Sequence, residues 1–166
     1  MIIRDRSGKP STLNTALLQL LLKERYVPVI TVPIADEQGV AISADNDDIV
    51  GLLSRELGAQ QIIQLIEAPG LLEDAGDETS LVSALDTSDL ERWEDRVEGR
   101  MKRKMHAIVK LFDGAARPTV YIGDGRVKQP VLNLLNGGGT IIYPMGRSRG
   151  PSLFPMAVTP THSRCR

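Results

Sequence analysis

Two short stretches carry the charge types that phosphoryl chemistry uses. "EGRMKRK", residues 98–104, puts four cations into seven residues, and "SADNDD", residues 43–48, holds three aspartates. The charge reverses sharply before the basic run, because residues 67–95 contain ten acids and one base, Arg92. Aspartates at a helix start are partly explained by capping and the macrodipole, but one suffices for a cap. The others could face a cation, either Mg²⁺ or a lysine ammonium. An Asp opposite a Lys across a phosphate is a common device where positioning and charge neutralisation supply most of the catalysis.

The basic run belongs to a helix, "RMKRKMHAIVKLFDG", ending at Gly114. With Met101 at zero and about 100° per residue, Met105, Ile108 and Phe112 fall within roughly 40° of it and form the buried face. Arg103 lands about 160° away, and Arg100 and Lys102 lie about 100° to either side, so these three read as solvated cations. Lys104 lies about 60° from the apolar centre, where its stem can follow the core and its ammonium can reach the edge of a site. The wheel leaves open whether Lys104 makes a border salt bridge or acts in catalysis. A nucleic-acid surface is disfavoured: the run is short, no aromatic interleaves it and the flanking charge is acidic.

The elements that must position these groups alternate between the two periodicities. "STLNTALLQLLLKERY" reads as a helix capped by Ser11 or Thr12, with Leu13, Leu17, Leu20 and Leu21 on one face. "VPVITVP" reads as a buried strand and "IADEQGVAI" as a polar connection. "SADNDDIVGLLSRELGA" is a helix capped between Asp45 and Asp47 and stopped by Gly58. "QQIIQLI" is a strand, "APGLLED" a turn, and residues 73–86 a loop. "SDLE", Ser88–Glu91, has capping-box spacing and opens a short helix through Trp93. After the basic helix come a strand and turn ("PTVYIGDG"), a short helix or turn ("VKQPVLNLLN") and a last strand ("GGGTIIYP"). Strands alternating with helices predict an α/β fold: an open, mainly parallel sheet with helices on both faces. A ligand would then sit beyond the carboxyl ends of the strands, at the loops after residues 33, 66 and 122.

Bulk properties narrow the function. A chain of 166 residues suits one domain, and 42% hydrophobic with 25% charged residues is ordinary for a globular protein. The net charge of −1 gives no general attraction to nucleic acid or membrane. The single cysteine, Cys165, supports neither a disulfide framework nor a thiolate metal site within one chain. No apolar run has spanning or signal-peptide length, so a cytoplasmic location is expected. From Pro144 onward the composition, with four of the ten prolines, four arginines and no acid, predicts a disordered tail. "GDG" and "GGG" alone are weak signals, and no P-loop or dinucleotide fingerprint is present.

Taken together, "YVPVI", "ADNDDIVGLLSRELGAQQIIQLIEAPGLLED", "GRMKRKMHAIVKLFDGA", "VYIGDGRV" and "GGGTII" resemble the C-terminal half of the amino acid kinase family. Their order and intervals are similar to those of acetylglutamate kinases. "GRMKRK" and "IGDGRV" resemble the branch acting on carrier-protein-bound aminoadipate or glutamate, in lysine and arginine biosynthesis. The likeness runs to about residue 143. It implies a three-layer nucleotide-binding half at residues 1–143 and a tail at 144–166. It implies ATP with Mg²⁺ as cofactors, a carboxylate acceptor and an acyl phosphate product. An acidic amino-group carrier protein is an implied partner.

By the same resemblance Lys104 stabilises the transferring phosphoryl group and Asp47 organises the site lysines. Ser43 is in the substrate-binding position. Glu67, Gly70, Leu71 and Leu72 lie in the nucleotide loop, with Arg100 and Met101 on the opposite wall. No metal-ligating residue is assigned. Several features depart from the family pattern. The half carrying the first-strand lysine, the glycine-rich substrate loop, a substrate-binding arginine and the main dimer helix of a homo-oligomeric family has no counterpart here. Ser43 replaces an asparagine, Ile66 and Glu67 replace a hydroxyl residue and an Asp or Asn, and Asp48 replaces a neutral or basic residue. A truncated and impaired kinase, or a non-catalytic nucleotide-binding half, is what these departures imply.

Overall fold

The computed structural model describes residues 7–97, 99–112 and 117–145. Gly114 and all of the expected tail except Pro144 and Met145 therefore lie outside the described residues. The α-helices and strands among the described residues follow in order: α1 (Thr15–Lys23), β1 (Ile34–Ala35), β2 (Ala41–Ile42), α2 (Asn46–Leu57), β3 (Gln61–Ile66), β4 (Ala84–Asp86), α3 (Leu90–Glu94), α4 (Gly99–Phe112), β5 (Thr119–Asp124), α5 (Pro130–Leu135) and β6 (Gly139–Tyr143).

Four strands form one sheet in the order β3-β5-β6-β4. β3 pairs parallel with β5 from Gln61 opposite Thr119 to Ile66 opposite Asp124, and β4 pairs parallel with β6. β5 and β6 are antiparallel, so the sheet is mixed, with two of its three pairings parallel. Helices cover both faces. Met105, Ile108 and Leu111 of α4 join Leu90 and Trp93 of α3 against Ile62, Val120, Ile122 and Ile142. On the opposite face the buried Leu134 of α5 lies over Gly123 and Gly139.

The wheel for α4 holds. Met105 and Ile108 are fully buried, Met101 and Phe112 pack at the edge of the core, and Lys102 and Arg103 are exposed. α2 is capped by Asp45, whose side chain accepts from the Asp47 N–H, and stopped by Gly58 at φ 63°, a left-handed turn suited to glycine.

Other expectations fail for identifiable reasons. "VPVITVP" is not a buried strand: it has no strand alongside it among the described residues, and Val27 and Val29 are 85% and 90% exposed. α1 starts later than expected, with Asn14 as its cap, accepting from the Leu17 N–H. Its buried residue is Leu18, while Leu17 and Leu20 face outward. The leucines spread over about 200° of the wheel, too wide an arc to single out the covered face. "IADEQGVAI" is a hairpin, β1/β2, turned by the Asp36 carboxylate, which accepts from the N–H groups of Gln38 and Val40. The 73–86 loop ends in β4, a strand too short for its periodicity to show. Ser88 lies inside a 3-10 turn, Thr87–Asp89, rather than at the cap of α3.

Ile108→Ala is expected to lower stability by about 2–5 kcal/mol by leaving a core cavity. Leu20→Ala, on an exposed face, should change it by no more than about 0.5 kcal/mol. Urea unfolding followed by Trp93 fluorescence distinguishes the two, and equal losses would contradict the packing described.

Candidate active site

α2 and α4 each lead through a short connection into the amino end of a parallel strand, β3 and β5 respectively. A helix that returns along its strand in this way brings its own amino end toward the carboxyl ends of the strands. There an ion pair links the two packed helices. Lys104 Nζ donates to Asp47 Oδ1 at 3.0 Å and lies 3.4 Å from Oδ2. The side chains are 24% and 26% exposed, so both charges sit at the border of the core and remain open to solvent on one side.

At the first turn of α2 lies an open hollow of about 420 Å³, which neither Asp47 nor Lys104 lines. It is lined by Ser43, Asp45, Asp48, Lys9 and the segment Ser7–Gly8. Ser43 ends the β1/β2 hairpin, and its carbonyl accepts from the Gly8 N–H at 2.9 Å. Ser43 thus joins the acidic turn of α2, although it is not in the ion pair itself.

The loop after β3 is anchored at both ends. Gly125 N–H donates to the Ile66 carbonyl at 2.8 Å, tying the turn after β5 to the start of the loop. At the other end the Leu71 N–H donates to Thr140 Oγ1 at 2.8 Å. Gly70 lies flat against the same residue: a Cβ there would come within 2.6 Å of Thr140 Oγ1 and 2.8 Å of Leu81 Cδ1. Glu67 is exposed at the mouth of the loop, and Leu72 is half-buried, bridged to Leu81. The Leu71 side chain is fully buried in the core, and its N–H and carbonyl are both bonded within the protein. Leu71 therefore anchors the loop and presents no side chain to a ligand. Arg100 and Met101 lie in the first turn of α4, with Met101 packed against the core.

Residues not singled out from the sequence complete the rim. Arg126 forks onto Asp124, Nε to Oδ1 at 2.9 Å and Nη2 to Oδ2 at 2.7 Å, and Nη2 also reaches Glu78 at 3.4 Å. The Arg126 side chain, followed by its N–H group, holds the Asp124 carboxyl below the usual carboxylate range. Asp124, followed by Glu78, pushes the guanidinium above its ordinary value. The signal was present in "IGDGRV", but an i,i+2 pairing across a turn has no periodicity to reveal it.

A layered α/β sheet with an Asp–Lys pair bridging the first turn of α2 and the second turn of α4 is the arrangement this site defines. The profile of the amino acid kinase family matches residues 2–124, and the chain belongs to that family. It is 38% identical over 143 residues to the [LysW]-aminoadipate kinase of Thermus thermophilus, covering 83% of this chain and 52% of that protein. Against the [LysW]-aminoadipate kinase of Deinococcus radiodurans the identity is 36%, over 83% of this chain and 47% of the relative. Against an acetylglutamate kinase of Synechococcus sp. it is 33%, over 82% and 45%. The chain thus spans about half the length of the relatives it matches.

Solved structures agree on the fold. N-acetylglutamate synthase from Neisseria gonorrhoeae superposes with a TM-score of 0.73 at 19% identity, over 86% of this chain and 34% of that one. Carbamate kinase from Giardia lamblia bound to AMP-PNP gives 0.66 at 18%, over 83% and 52%. No helix among the described residues is long and apolar enough to cross a membrane.

Because its folded-state pKa is lowered, Asp124 contributes stability that is complete above the ordinary aspartate range of about 4. That contribution is lost as pH falls through the lowered native value. Asp124→Asn should therefore flatten the acid limb of the stability profile below about pH 4, read from urea midpoints. An unchanged acid limb would mean that the Asp124–Arg126 fork does not form in solution.

Proposed function

We propose that this chain forms the nucleotide-binding half of a kinase that transfers the γ-phosphoryl group of ATP to a side-chain carboxylate. The acceptor is aminoadipate or glutamate held on an acidic amino-group carrier protein, with N-acetylglutamate as the related free substrate. The relatives named [LysW]-aminoadipate kinase and acetylglutamate kinase support this acceptor class. The observation that carries the reading is the Lys104–Asp47 contact, 3.0 Å long, at the converging ends of α2 and α4.

In this reaction a carboxylate oxygen bonds to the γ-phosphorus, the bond to the β-γ bridging oxygen breaks, and ADP leaves with that oxygen's electron pair. The protein's share is to place the two reactants and to neutralise the charge spread over the transferring group. Lys104 does the latter, and Asp47 holds its ammonium in place between turnovers. Ser43, in the hollow at the first turn of α2, faces the acceptor. The loop Glu67–Leu72 and the first turn of α4 around Arg100 and Met101 flank the nucleotide. Among the described residues no group of three or more Asp, Glu, His or Cys side chains is arranged to hold a metal. Mg²⁺ fits this site as a companion of the nucleotide phosphates, its usual mode in such enzymes. When bound it would supply charge neutralisation on the β- and γ-oxygens.

A second reading, a non-catalytic nucleotide-binding or regulatory half, draws on the exposed apolar segment at Val27–Ile30. Calorimetry with Mg–ATP and carboxylate-dependent ADP release separate the two. Both readings expect ATP binding that Lys104→Ala weakens by at least about tenfold, and absence of binding at millimolar nucleotide would count against both. The isolated chain should turn over very slowly, because a single missing clamp group in such a site costs about 3 kcal/mol. ADP release at ordinary enzyme rates would refute that impairment. Recovery of activity on adding a separately expressed N-terminal half of an aminoadipate kinase would favour the catalytic reading over the regulatory one.

A further inference from the structure

We infer that Thr140 is the positioning residue of the nucleotide loop. This rests on the reading above that Glu67–Leu72 contacts the nucleotide. Thr140, on β6, is fully buried, and its hydroxyl is used twice. It accepts from the Leu71 N–H at 2.8 Å and donates to the Val82 carbonyl at 2.7 Å. Leu71 and Val82 bond to each other directly as well, Val82 N–H to Leu71 carbonyl at 2.9 Å. The hydroxyl therefore adds a side-chain clasp to the base of the 71–82 excursion, beside the backbone bonds that also close it.

A hydroxyl is the chemistry this position needs. Leu71 offers a donor and Val82 an acceptor, and only a group that both accepts and donates satisfies the two at once. A valine of the same shape would leave a buried N–H and a buried carbonyl without that partner. Gly70 rests against Thr140 and Leu81 with no room for a Cβ, so the loop lies close over β6. At the other end the loop is held by the Gly125 bond to Ile66. Between the anchors, the N–H of half-buried Ala68 has no acceptor among the described residues. It is a donor that the anchored loop can present to a ligand. Fixing such a loop before binding raises affinity by removing the cost of ordering it.

The experiment compares Mg–ATP affinity by calorimetry with amide exchange at Leu71 and with urea midpoints. The proteins are the wild-type chain, Thr140→Val, Thr140→Ser and Ile142→Val. Ile142 is a buried neighbour on the same strand with no polar role, so its variant loses packing while keeping the clamp. The expected result is ATP binding about tenfold or more weaker in Thr140→Val, with Leu71 exchange accelerated. Thr140→Ser and Ile142→Val should bind within about threefold of wild type and keep Leu71 protected. If Thr140→Val does not fold, Thr140→Cys, a poor donor and acceptor, takes its place. Wild-type affinity in a variant whose Leu71 amide has become unprotected would overturn the inference. So would a loss of affinity that follows the urea midpoint equally in Thr140→Val and Ile142→Val. Failure of the wild-type chain to bind ATP would overturn the nucleotide reading itself and this inference with it, whatever Leu71 shows.

Discussion

The contact between Lys104 and Asp47 is the constraint around which the described half is arranged. It joins two helices that are otherwise held by apolar packing, and it does so at the end of the sheet where the loops after β3 and β5 meet. A pair this exposed adds little to stability, typically no more than about 1 kcal/mol. Its geometry is nevertheless well determined. Met105 and Ile108, fully buried, fix the rotation of α4, and the Asp45 cap and Gly58 stop fix the length of α2. Two charges held by packing rather than by their own attraction are poised for use by a third group.

The rest of the rim has the same character of local fixing by single polar contacts. Thr140 clamps one end of the loop that follows β3, the Gly125 N–H holds the other, and Arg126 bonds the end of β5 to Glu78. Each of these tethers spans the sheet or an excursion from it, so each is long-range in sequence or hidden in a turn. The hollow beside Ser43 is bounded by the same acidic turn that supplies Asp47. Three carboxylates within one helical turn make that side electronegative. The ammonium of Lys104 offsets part of that charge through its contact with Asp47.

Much of this was legible in the sequence where periodicity and burial agree. The amphipathic wheel of α4 separates Lys104 from Arg103, and the sequence confines the cap of α2 to Asp45–Asp47 and its stop to Gly58. Legibility failed where burial depends on a neighbour. "VPVIT" has the composition of an inner strand, yet Val27 and Val29 are exposed because no strand lies alongside among the described residues. The leucines of α1 encode a helix but not which face is covered. β4 and the β1/β2 hairpin were missed because strands of two or three residues carry too few alternations to register. Thr140 and Arg126 were invisible for another reason: a hydroxyl or a guanidinium announces its chemistry but not its partner.

Lys104 is claimed to reach the phosphates of a bound nucleotide. Selective ¹³C labelling of the lysines, with Lys104 assigned through Lys104→Arg, follows its ε-carbon resonance during titration with Mg–ATP. The account expects a saturable shift of the Lys104 signal with the dissociation constant found by calorimetry, while Lys102, on the solvated face, stays unmoved. Nucleotide binding that leaves the Lys104 resonance unchanged would contradict it.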